Sequence, residues 1–497
     1  MTFQPFQAQS YDFQTWIDAT NFIAGAFKDP VKAVGELEIS NPRHGKTISK
    51  LKLSTYADVD AAVQGAKANL QTWQEKPLRE RAHIFYQLRE LMHKHAKTLA
   101  WLVSHENGKT YAEGMAEVEK SIECIEYGCS LPNIAAGDQL DVSRGVNCQL
   151  EYAGLGIVAG VTPFNFPLMV PFWMIPQAII GGNAFILKPS EQTPLSSLYI
   201  AYLLKEAGLP DGIFSLVQGA KDAVEALCDH PEIKAFGFVG STRVARMVYA
   251  RACATGKRAL CLGGAKNHLI VVPDADIQVT ADNIVASFTG CAGQRCMAAA
   301  NLLAVGDVEH IISAIKQKAA EIKLGQDMGA INSLQSVERI EGYIASAIAD
   351  GAHVALDGRG KSAQSGGFWV GPTIIDGVRA DMKISKEEIF GPVLSIIRVK
   401  DLSEAIAIEN SNPYGNAAAV YTTSGDVARL VMNKVEAGMC GVNVGVPVPR
   451  EPFGFGGWND SLFGQGNITG WDGFRFWTRM RKVTTKWALQ KDQTWMS

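Results

Sequence analysis

The stretch Phe236-Gly-Phe-Val-Gly-Ser-Thr242 joins a short apolar run to a Gly-Ser-Thr turn, a common start of a helix. Similar apolar runs precede it at residues 156–160, 184–187 and 214–217, and they alternate with segments of helical pattern. Alternation of this kind builds a parallel sheet with helices on both faces. The stretch and its surroundings therefore predict an α/β fold.

The rest of the chain extends this pattern on both sides. Residues 58–105 carry apolar side chains at helical spacing, which predicts amphipathic helices. These positions are Val59, Ala62, Val63, Ala66, Ile84, Leu88, Leu91 and Met92. A second strand-rich block begins at His268-Leu-Ile-Val-Val272 and continues through residues 302–305 and 417–421. Because 497 residues exceed what one hydrophobic core usually supports, we expect two or three structural units.

Charge and cysteine content exclude several classes of protein. A net charge of −3 and an isoelectric point near 6.3 argue against a nucleic-acid or anionic-membrane partner, since either needs a concentrated basic surface. Small acidic substrates remain compatible with this charge. The nine cysteines are irregularly spaced and include no Cys-x-x-Cys pair, so they predict neither a disulfide framework nor a zinc site. This content is typical of a reducing compartment.

Two segments bear on targeting. The segment from Met1 to Thr20 contains acidic residues but neither lysine nor arginine and no apolar core, unlike a signal or transit peptide, so we expect a cytoplasmic protein. The longest apolar stretch, residues 168–187, is interrupted by Pro171, Pro176 and a glycine pair. These breaks favour a buried helix followed by a buried strand over a membrane span.

Cys296 is the candidate nucleophile. It lies in Phe288-Thr-Gly-Cys-Ala-Gly-Gln-Arg-Cys-Met-Ala298, whose small residues let the backbone crowd around one thiol. A thiolate can attack an aldehyde carbon, and the resulting thiohemiacetal can give up a hydride to leave a thioester. The run alone is also compatible with a buried structural cysteine, because a free cysteine behaves as a small hydrophobe.

Five motifs, taken together and in order, resemble those of the aldehyde dehydrogenase superfamily. They are Gly160-Val-Thr-Pro-Phe-Asn-Phe-Pro167, Leu187-Lys-Pro-Ser-Glu191, Phe236-Gly-Phe-Val-Gly-Ser-Thr242, Gly293-Gln-Arg-Cys296 and Glu387-Glu-Ile-Phe-Gly-Pro392. Their spacing is similar to that of the family from about Glu38 to about Lys486. On this resemblance the chain is identified as a member of the family, with Cys296 as its nucleophile.

The resemblance implies an α/β aldehyde dehydrogenase fold with a Rossmann-like nucleotide domain. It places an NAD-binding domain at residues 1–129 and 149–258, and an α/β catalytic domain at residues 259–445. A β oligomerisation arm is expected at residues 130–148 and 474–497. Strand-like alternation from Phe474 to Lys486 agrees with an arm, since such a strand would otherwise expose an unpaired edge. A homo-oligomer follows, either a dimer or a tetramer.

The resemblance also implies NAD as cofactor, although no Gly-x-Gly-x-x-Gly follows a strand. The turn at Gly240 and Ser241 takes that place and lets a helix amino terminus meet the pyrophosphate. Glu191 near the adenosine ribose would repel a 2′-phosphate and favour NAD over NADP, a preference that Lys188 would weaken. The full set of expected cofactor-binding residues is Thr162, Phe164, Lys188, Ser190, Glu191, Gly240, Ser241, Val244, Glu388 and Phe390.

Three further roles come from matching family positions. Glu388 is expected to hold the nicotinamide ribose, and Phe390 to pack against the ring. Asn165 stands at the oxyanion-hole position, where its amide and the backbone N–H of Cys296 would donate to the oxygen as charge develops on it. No metal is expected.

The chain departs from hydrolytic members of the family at the general base. Those enzymes carry a glutamate in Glu-Leu-Gly-Gly-Lys, whereas this chain has Cys261-Leu-Gly-Gly-Ala-Lys-Asn-His268. Depending on the frame, Leu262 or Cys261 takes the position of the base, so the carboxylate is missing either way. Without it, attack by water on the thioester should be slow. Coenzyme A is the expected acceptor, because thioester exchange needs less help than hydrolysis.

Substrate choice is predicted from two cationic residues. Gly-Ala-Lys-Asn-His, Gly293-Gln-Arg-Cys-Met-Ala298 and Gly441-Val-Asn-Val-Gly-Val-Pro-Val-Pro449 resemble the coenzyme A-acylating subfamily that acts on malonate-type semialdehydes. In that subfamily the arginine matching Arg295 grips the substrate carboxylate; alternatively, Arg295 points away into a structural ion pair. Lys120 stands where the subfamily has a second arginine, which keeps the charge but not the planar fork. It is also compatible with an ordinary surface lysine.

The predicted reaction is NAD-dependent oxidation of malonate semialdehyde or methylmalonate semialdehyde, with loss of carbon dioxide and transfer of acetyl or propionyl to coenzyme A. One alternative is a hydrolytic semialdehyde dehydrogenase that uses another base and releases a free acid. The other is a catalytically retired dehydrogenase fold with a binding or structural role. The missing glutamate fits this last alternative, whereas the retention of Cys296, Asn165, Lys188 and Glu388 argues against it.

Overall fold

The structure is a computed structural model that describes residues 18–363 and 366–486. The start of the predicted NAD-binding domain, residues 1–17, and the end of the predicted arm, residues 487–497, lie outside the described residues. The amino-terminal elements are β1 (Asn21–Ile23), β2 (Ala26–Lys28), β3 (Glu36–Asn41), β4 (Lys46–Lys52), α1 (Tyr56–Glu75), α2 (Leu78–Lys94), α3 (Ala96–Asn107) and α4 (Tyr111–Ile134). The amphipathic helices predicted for residues 58–105 are thus confirmed.

The central part of the chain alternates strands and helices. Its elements are β5 (Gln139–Ser143), β6 (Val146–Gly154), β7 (Ile157–Val161), α5 (Met169–Ile180), β8 (Ala184–Lys188), α6 (Leu195–Glu206), β9 (Phe214–Leu216), α7 (Lys221–Asp229), β10 (Ile233–Val239), α8 (Thr242–Ala254) and β11 (Arg258–Leu262). The four apolar runs predicted as strands lie in β7, β8, β9 and β10. The apolar stretch 168–187 folds as a buried helix, α5, followed by the buried strand β8, as predicted.

The remaining elements form a second strand-helix block and a tail. They are β12 (Asn267–Val271), α9 (Ile277–Thr289), β13 (Ala299–Val305), α10 (Glu309–Glu321), α11 (Leu334–Ala349), β14 (His353–Leu356), β15 (Thr373–Asp376), α12 (Lys383–Lys386), β16 (Val393–Val399), α13 (Leu402–Ser411), β17 (Tyr414–Gly415), β18 (Ala417–Tyr421), α14 (Gly425–Met432), β19 (Met439–Val442), β20 (Trp458–Asn459), β21 (Leu462–Phe463), α15 (Gly470–Trp477) and β22 (Thr478–Lys486). Within the described ranges, no helix is long and apolar enough to cross a membrane.

Two large sheets carry the molecule. The first has eight strands in the order β2-β1-β9-β8-β7-β10-β11-β21, with β9, β8, β7, β10 and β11 parallel. The central strands β7, β8 and β9 are buried along their whole length, as expected when helices cover both faces of the sheet. Strand β11 extends this sheet to Leu262, beyond the boundary predicted at residue 258. The second sheet has the order β14-β15-β16-β13-β12-β18-β19 and is parallel except at β14.

A third sheet, β22-β6-β5, contains strands from both segments predicted as the arm, but β6 continues to Gly154, beyond the predicted boundary at residue 148. The strand prediction was wrong for Phe474 to Trp477, which lie in helix α15. Phe474 and Trp477 are both fully buried, and their three-residue spacing puts them on one face of a helix rather than of a strand. Strand β22 pairs along its whole length with β6, from Thr478 opposite Gly154 to Lys486 opposite Val146. At the other predicted boundary, residues 130–134 still belong to helix α4.

Candidate active site

The loop that carries Cys296 begins with left-handed backbone. After α9 ends, Cys291 and Ala292 adopt φ angles of 53° and 52°. Such conformations cost non-glycine residues about 1–3 kcal/mol each and persist only where the surroundings hold them. Gly293 continues the turn at a φ of 66°, and a Cβ there would lie 2.2 Å from the carbonyl oxygen of Gly391. The glycine that precedes Gln-Arg-Cys is therefore required by a close approach of two backbones.

Side chains from distant elements hold this loop in place. Glu113, in the first turn of α4, accepts a hydrogen bond from the backbone N–H of Cys291 at 2.6 Å. The carbonyl oxygen of Cys296 accepts from the amides of Asn267 and Asn416 at 2.8 and 2.9 Å. The loop of Cys296 is thus held at both ends by groups from three different segments of the chain.

One cleft, with a volume of about 750 Å³, brings the predicted catalytic and cofactor residues together. Cys296 and Asn165 line it. All ten predicted cofactor-binding residues line it as well: Thr162, Phe164, Lys188, Ser190, Glu191, Gly240, Ser241, Val244, Glu388 and Phe390. Arg295 and Lys120 are not among the lining residues. Motifs that are far apart in the sequence therefore meet at one place.

The amino terminus of helix α8 faces this cleft. Ser241 is its N-cap residue but makes no side-chain capping hydrogen bond, so the first backbone N–H groups keep their capacity to bind an anion. Arg243 in the first turn lines the cleft and adds positive charge. This end of the cleft therefore fits the pyrophosphate of a dinucleotide.

Next to the helix terminus, Lys188 and Glu191 form an ion pair with an Nζ–Oε2 distance of 2.9 Å. Burial would raise the pKa of Glu191, but the Lys188 ammonium outweighs burial and holds the pKa below its ordinary value. Glu191 is therefore an ionised acceptor, as a ribose hydroxyl requires. The hydroxyl of Thr162 is buried in the cleft wall without a partner among the described residues. The Lys188 ammonium, the Glu191 carboxylate and the unpaired Thr162 hydroxyl are therefore suited to bind the ribose hydroxyls of NAD.

At the opposite end, Phe390 and Phe164 meet edge to face with ring centroids 5.7 Å apart. Phe390 has a φ of 56°, a further left-handed residue in the site. The carboxylate of Glu388 accepts from the backbone N–H of Ala265 at 3.1 Å. Burial raises the pKa of Glu388 to about 7, against the opposing effects of the Ala265 N–H and the Lys266 ammonium. This carboxyl group therefore changes charge near neutral pH.

The thiol of Cys296 is protonated at rest. Burial and the Glu388 carboxylate raise the pKa of Cys296 to about 12, while its own N–H, Arg295 and the N–H of Met297 act in the other direction. Asn165 is 5% exposed, and no described residue bonds to its amide, which leaves the amide group available to a substrate oxygen. The arrangement can stabilise an oxyanion beside a nucleophile that must first lose its proton.

Arg295 points toward the end of helix α9. Its Nη2 donates to the carbonyl oxygens of Ala286 and Ser287, at 2.5 and 3.0 Å. It also lines a small pocket of about 20 Å³ that it shares with Cys296 and Glu388. The partners are backbone carbonyls rather than the carboxylate of an ion pair. Arg295 therefore lies next to Cys296, and one end of its guanidinium group is already hydrogen-bonded.

Lys120 is also engaged in the structure. Its Nζ lies 3.0 Å from Oε2 of Glu123 and 3.0 Å from Oε2 of Glu451. Glu451 is only 11% exposed at its side chain, so this contact is well shielded from water. The role of Lys120 toward a substrate carboxylate stays a prediction.

Leu262 stands where the sequence analysis expects the general base of hydrolytic relatives. Leu262 is the last residue of β11 and is 3% exposed. The glycine turn after it is fixed by Thr242, whose Oγ1 accepts from Gly264 N–H at 2.7 Å, and by Ser461, whose Oγ donates to Gly264 O at 2.7 Å. Among the described residues that line the cleft, the carboxylates are those of Glu191 and Glu388.

Residues 18–363 and 366–486 contain no group of three or more His, Cys, Asp or Glu side chains placed to hold a metal ion.

The sequence analysis missed several residues that support the site. Glu106 is completely buried and accepts from the N–H groups of Leu195 and Ser196 at the start of α6. Glu117 does the same for the start of α5, next to Asn165. Both are acidic residues inside helical segments, and only the fold shows that they point inward.

Lys266 was also missed as a site group, although the Gly-Ala-Lys-Asn-His motif contains it. Its side chain is buried, and its Nζ has no partner among the described residues. Burial lowers the pKa of Lys266 to about 7, while the carboxyl groups of Glu388 and Glu387 oppose that shift. A second group that titrates near neutral pH thus lies beside Glu388.

Comparisons with known proteins agree with this geometry. A sequence profile described as the aldehyde dehydrogenase family matches residues 30–483. Malonate-semialdehyde dehydrogenase 1 from Geobacillus kaustophilus (strain HTA426) is 43% identical over 458 residues, which are 90% of this chain and 94% of that protein. Malonate-semialdehyde dehydrogenase from Pseudomonas aeruginosa is 40% identical over 461 residues, which are 90% and 93% of the two chains.

Solved structures are similar over almost the whole chain. Methylmalonate-semialdehyde dehydrogenase from Oceanimonas doudoroffii superposes with a TM-score of 0.93 at 39% identity, covering 96% of this chain and 99% of that one. A protein from Sinorhizobium meliloti 1021, assigned to the same activity and solved in complex with NAD, gives a TM-score of 0.94 at 37% identity and covers 97% and 100%. The chain belongs to the aldehyde dehydrogenase family, and the predicted fold class is confirmed.

Proposed function

We propose that this protein is an NAD-dependent, coenzyme A-acylating dehydrogenase of malonate semialdehyde or methylmalonate semialdehyde. The observation that carries the proposal is the cleft in which Cys296 and Asn165 meet the full cofactor set, while Leu262 replaces the base of hydrolytic relatives. The names of the similar proteins support the substrate class. The residues present also fit NAD at both ends of the cleft.

The residues of the chain divide the reaction among them. Cys296 Sγ loses its proton to solvent and attacks the aldehyde carbon, and the Asn165 amide and the Cys296 N–H donate to the oxygen as it becomes negative. NAD held by the residues at the two ends of the cleft would supply the acceptor for the hydride, and the loss of this hydride converts the thiohemiacetal on Cys296 to a thioester. The thioester carbonyl then accepts the electron pair released when the β-carboxylate departs as carbon dioxide, and a proton from solvent adds to the α-carbon of the resulting enolate to restore the thioester. The thiolate of coenzyme A attacks the same carbonyl and releases Cys296 as a thiolate.

One assay tests the proposal: NADH formation from malonate semialdehyde with and without coenzyme A, followed by product identification. We expect steady turnover and acetyl-coenzyme A when coenzyme A is present. Without it, we expect at most one NADH per active site and then a slow drain, because Leu262 cannot activate water. Steady turnover to a free acid without coenzyme A would instead favour hydrolysis. Glu388, which lines the same pocket as Cys296, would then be the candidate base that activates water. No NADH under either condition would favour a retired enzyme.

The substrate assignment needs its own test, and Arg295→Leu provides it. A charged hydrogen bond is worth about 1.5–3 kcal/mol, so kcat/KM for malonate semialdehyde should fall roughly ten- to a hundred-fold. Propanal, which has no carboxylate, is the matched control and should be affected little. Equal losses for both aldehydes would show that Arg295 serves helix α9 or the thiolate, because it already donates to two carbonyls there.

We also propose that the first sheet binds NAD, that the second carries the nucleophile, and that the sheet β22-β6-β5 joins subunits. Apolar side chains on that sheet are exposed in the single chain: Leu140 at 67%, Val142 at 52% and Met480 at 51%. Burying them against a second copy would remove apolar surface from water. Light scattering after size-exclusion chromatography should give a dimer or tetramer, and a monomer would contradict the role of this sheet.

A further inference from the structure

Two buried asparagine amides converge on the backbone carbonyl of Cys296. Asn267 Nδ2 lies 2.8 Å from this oxygen and Asn416 Nδ2 lies 2.9 Å from it. Asn267 is 4% exposed and Asn416 is 7% exposed, so water does not compete for either amide. The two residues lie at the starts of neighbouring strands of the second sheet. Asn267 is the first residue of β12, and Asn416 immediately precedes β18. The sheet therefore delivers both donors to one peptide group.

The orientation of the Asn267 amide is fixed by its surroundings. Its Oδ1 accepts from the backbone N–H of Ala417 at 3.1 Å, a contact that an NH₂ group could not make. Its Nδ2 must then face the two carbonyl oxygens of Cys296 and Ala298, each at 2.8 Å. Asn416 Nδ2 reaches Asn267 Oδ1 at 3.5 Å and Met297 Sδ at 3.2 Å. All donor positions of Asn267 are therefore used to hold the catalytic loop.

The carbonyl of Cys296 belongs to the same peptide group as the N–H of Met297, which interacts with the Cys296 thiol. The peptide between Cys296 and Met297 is planar, so its C=O and its N–H point in opposite directions and turn together. The N–H of Met297 favours the thiolate of Cys296 and lowers the pKa of this thiol. A rotation of the peptide away from the two asparagines would therefore also turn this N–H away from the sulphur.

We propose that Asn267 and Asn416 are positioning residues that set the reactivity of Cys296 by clamping the 296–297 peptide. The left-handed turn just before it makes such a clamp necessary, because strained backbone relaxes when its contacts are lost. The inference rests on the proposed function in that it takes Cys296 as the nucleophile. Its test uses neither aldehyde nor cofactor, so its failure is distinguishable from a failure of the proposed reaction.

The test is the alkylation rate of Cys296 in the full-length protein between pH 6 and 10. Trypsin cleaves after Arg295, so Cys296 begins the peptide of residues 296–316, which contains no other cysteine and reports this thiol by mass spectrometry. Iodoacetamide and the bulkier N-ethylmaleimide are compared in Asn416→Ala and Asn267→Ala. Asn301→Ala is the matched control, since Asn301 is fully buried in β13 but bonds to His268 and Ser385 instead.

We expect alkylation in each clamp variant to be about tenfold slower across this pH range and by the same factor for both reagents, because a rise of about one unit in the pKa of Cys296 lowers its thiolate fraction about tenfold. Asn301→Ala should match the wild type. Three results would overturn the proposal: an unchanged profile, a slowing that differs between the two reagents and so reflects access, or an equal slowing in the control. If Asn267→Ala fails to fold, Asn416→Ala decides, because the Asn416 side chain donates to Cys296 O and Met297 Sδ and, among the described residues, to no backbone group outside the catalytic loop.

Discussion

Replacing Glu117 by glutamine should destabilise the protein by about 3–5 kcal/mol, the usual effect of removing one partner of a buried ion pair. Glu117 Oε2 lies 2.6 Å from Lys109 Nζ, and the two side chains are 0% and 2% exposed. Glutamine has nearly the same shape but no charge, so it would leave the Lys109 ammonium buried without a counterion. The ring of Phe166, 3.8 Å from this ammonium, would remain as a cation–π partner, but that contact is worth only about 2 kcal/mol when desolvated.

The same carboxylate also holds the cofactor cleft. Glu117 Oε1 accepts from the N–H groups of Leu168 and Met169 at 2.8 and 3.0 Å, at the start of α5 and just after Asn165. An amide oxygen can keep these two bonds, so Glu117→Gln isolates the loss of charge. Glu117→Ala removes the acceptor as well and should cost a further 1–2 kcal/mol or so, the usual effect of losing a helix cap. The KM for NAD should rise in the alanine variant more than in the glutamine variant.

Urea unfolding followed by tryptophan fluorescence measures these effects, with Glu119→Gln as the matched control. Glu119 lies on the same helix but is exposed, and the described residues offer it no ion pair. The control should stay within about 0.5 kcal/mol of the wild type. If Glu117→Gln unfolds at the same urea concentration as Glu119→Gln, the ion pair does not stabilise the fold and the reasoning fails.

Three further predictions concern the site. Cys296→Ala should abolish NADH formation while calorimetry still detects NAD binding, whereas Cys291→Ala should keep turnover; the reverse pattern would move the nucleophile to Cys291. Because burial raises the pKa of Glu388 to about 7, the ionised fraction of this carboxyl group rises between pH 6 and 8, so the KM for NAD should fall over this range if the carboxylate accepts from the ribose as predicted. Glu388→Gln should lose this dependence, and a variant profile identical to that of the wild type would contradict the assignment. Because Lys120 pairs with Glu451 at 3.0 Å, Glu451→Gln should raise kcat/KM for malonate semialdehyde by a few-fold and Lys120→Met should lower it. Equal changes in kcat/KM for propanal would show that the Lys120–Glu451 pair has a structural role rather than a role in substrate binding.

The sequence predicted what depends on continuous local pattern. Buried parallel strands are runs of apolar residues, so β7, β8 and β10 were recognisable without the structure. The tail was misread because Phe474-Arg-Phe-Trp477 fits alternation as well as helical spacing, and only packing against the first sheet selects the helix. Local pattern is weakest where one residue fits two periods.

The partners of charged and amide side chains were beyond the reach of the sequence. Lys120 meets Glu451, and Asn416 meets Cys296, across more than a hundred residues. One signal was available for the asparagines: each stands directly at the start of a strand that is otherwise apolar. A polar residue at such a boundary is expected to bond to a neighbouring backbone, since a buried amide without partners is costly.

Strand β11 pairs with β21, and β6 pairs with β22, so the first and third sheets can be completed only after the late strands β21 and β22 have been synthesised. When β11 has emerged, every parallel strand of the first sheet has been synthesised, but the edge strand at Leu462 and the Trp477 side chain, 5.7 Å from Phe185, have not. At translation rates of about 5–20 residues per second, roughly ten to forty seconds pass between the synthesis of β11 and that of β21 and Trp477. During that interval the edge of β11 lacks its antiparallel partner, and an unpaired strand edge is a site where chains can aggregate.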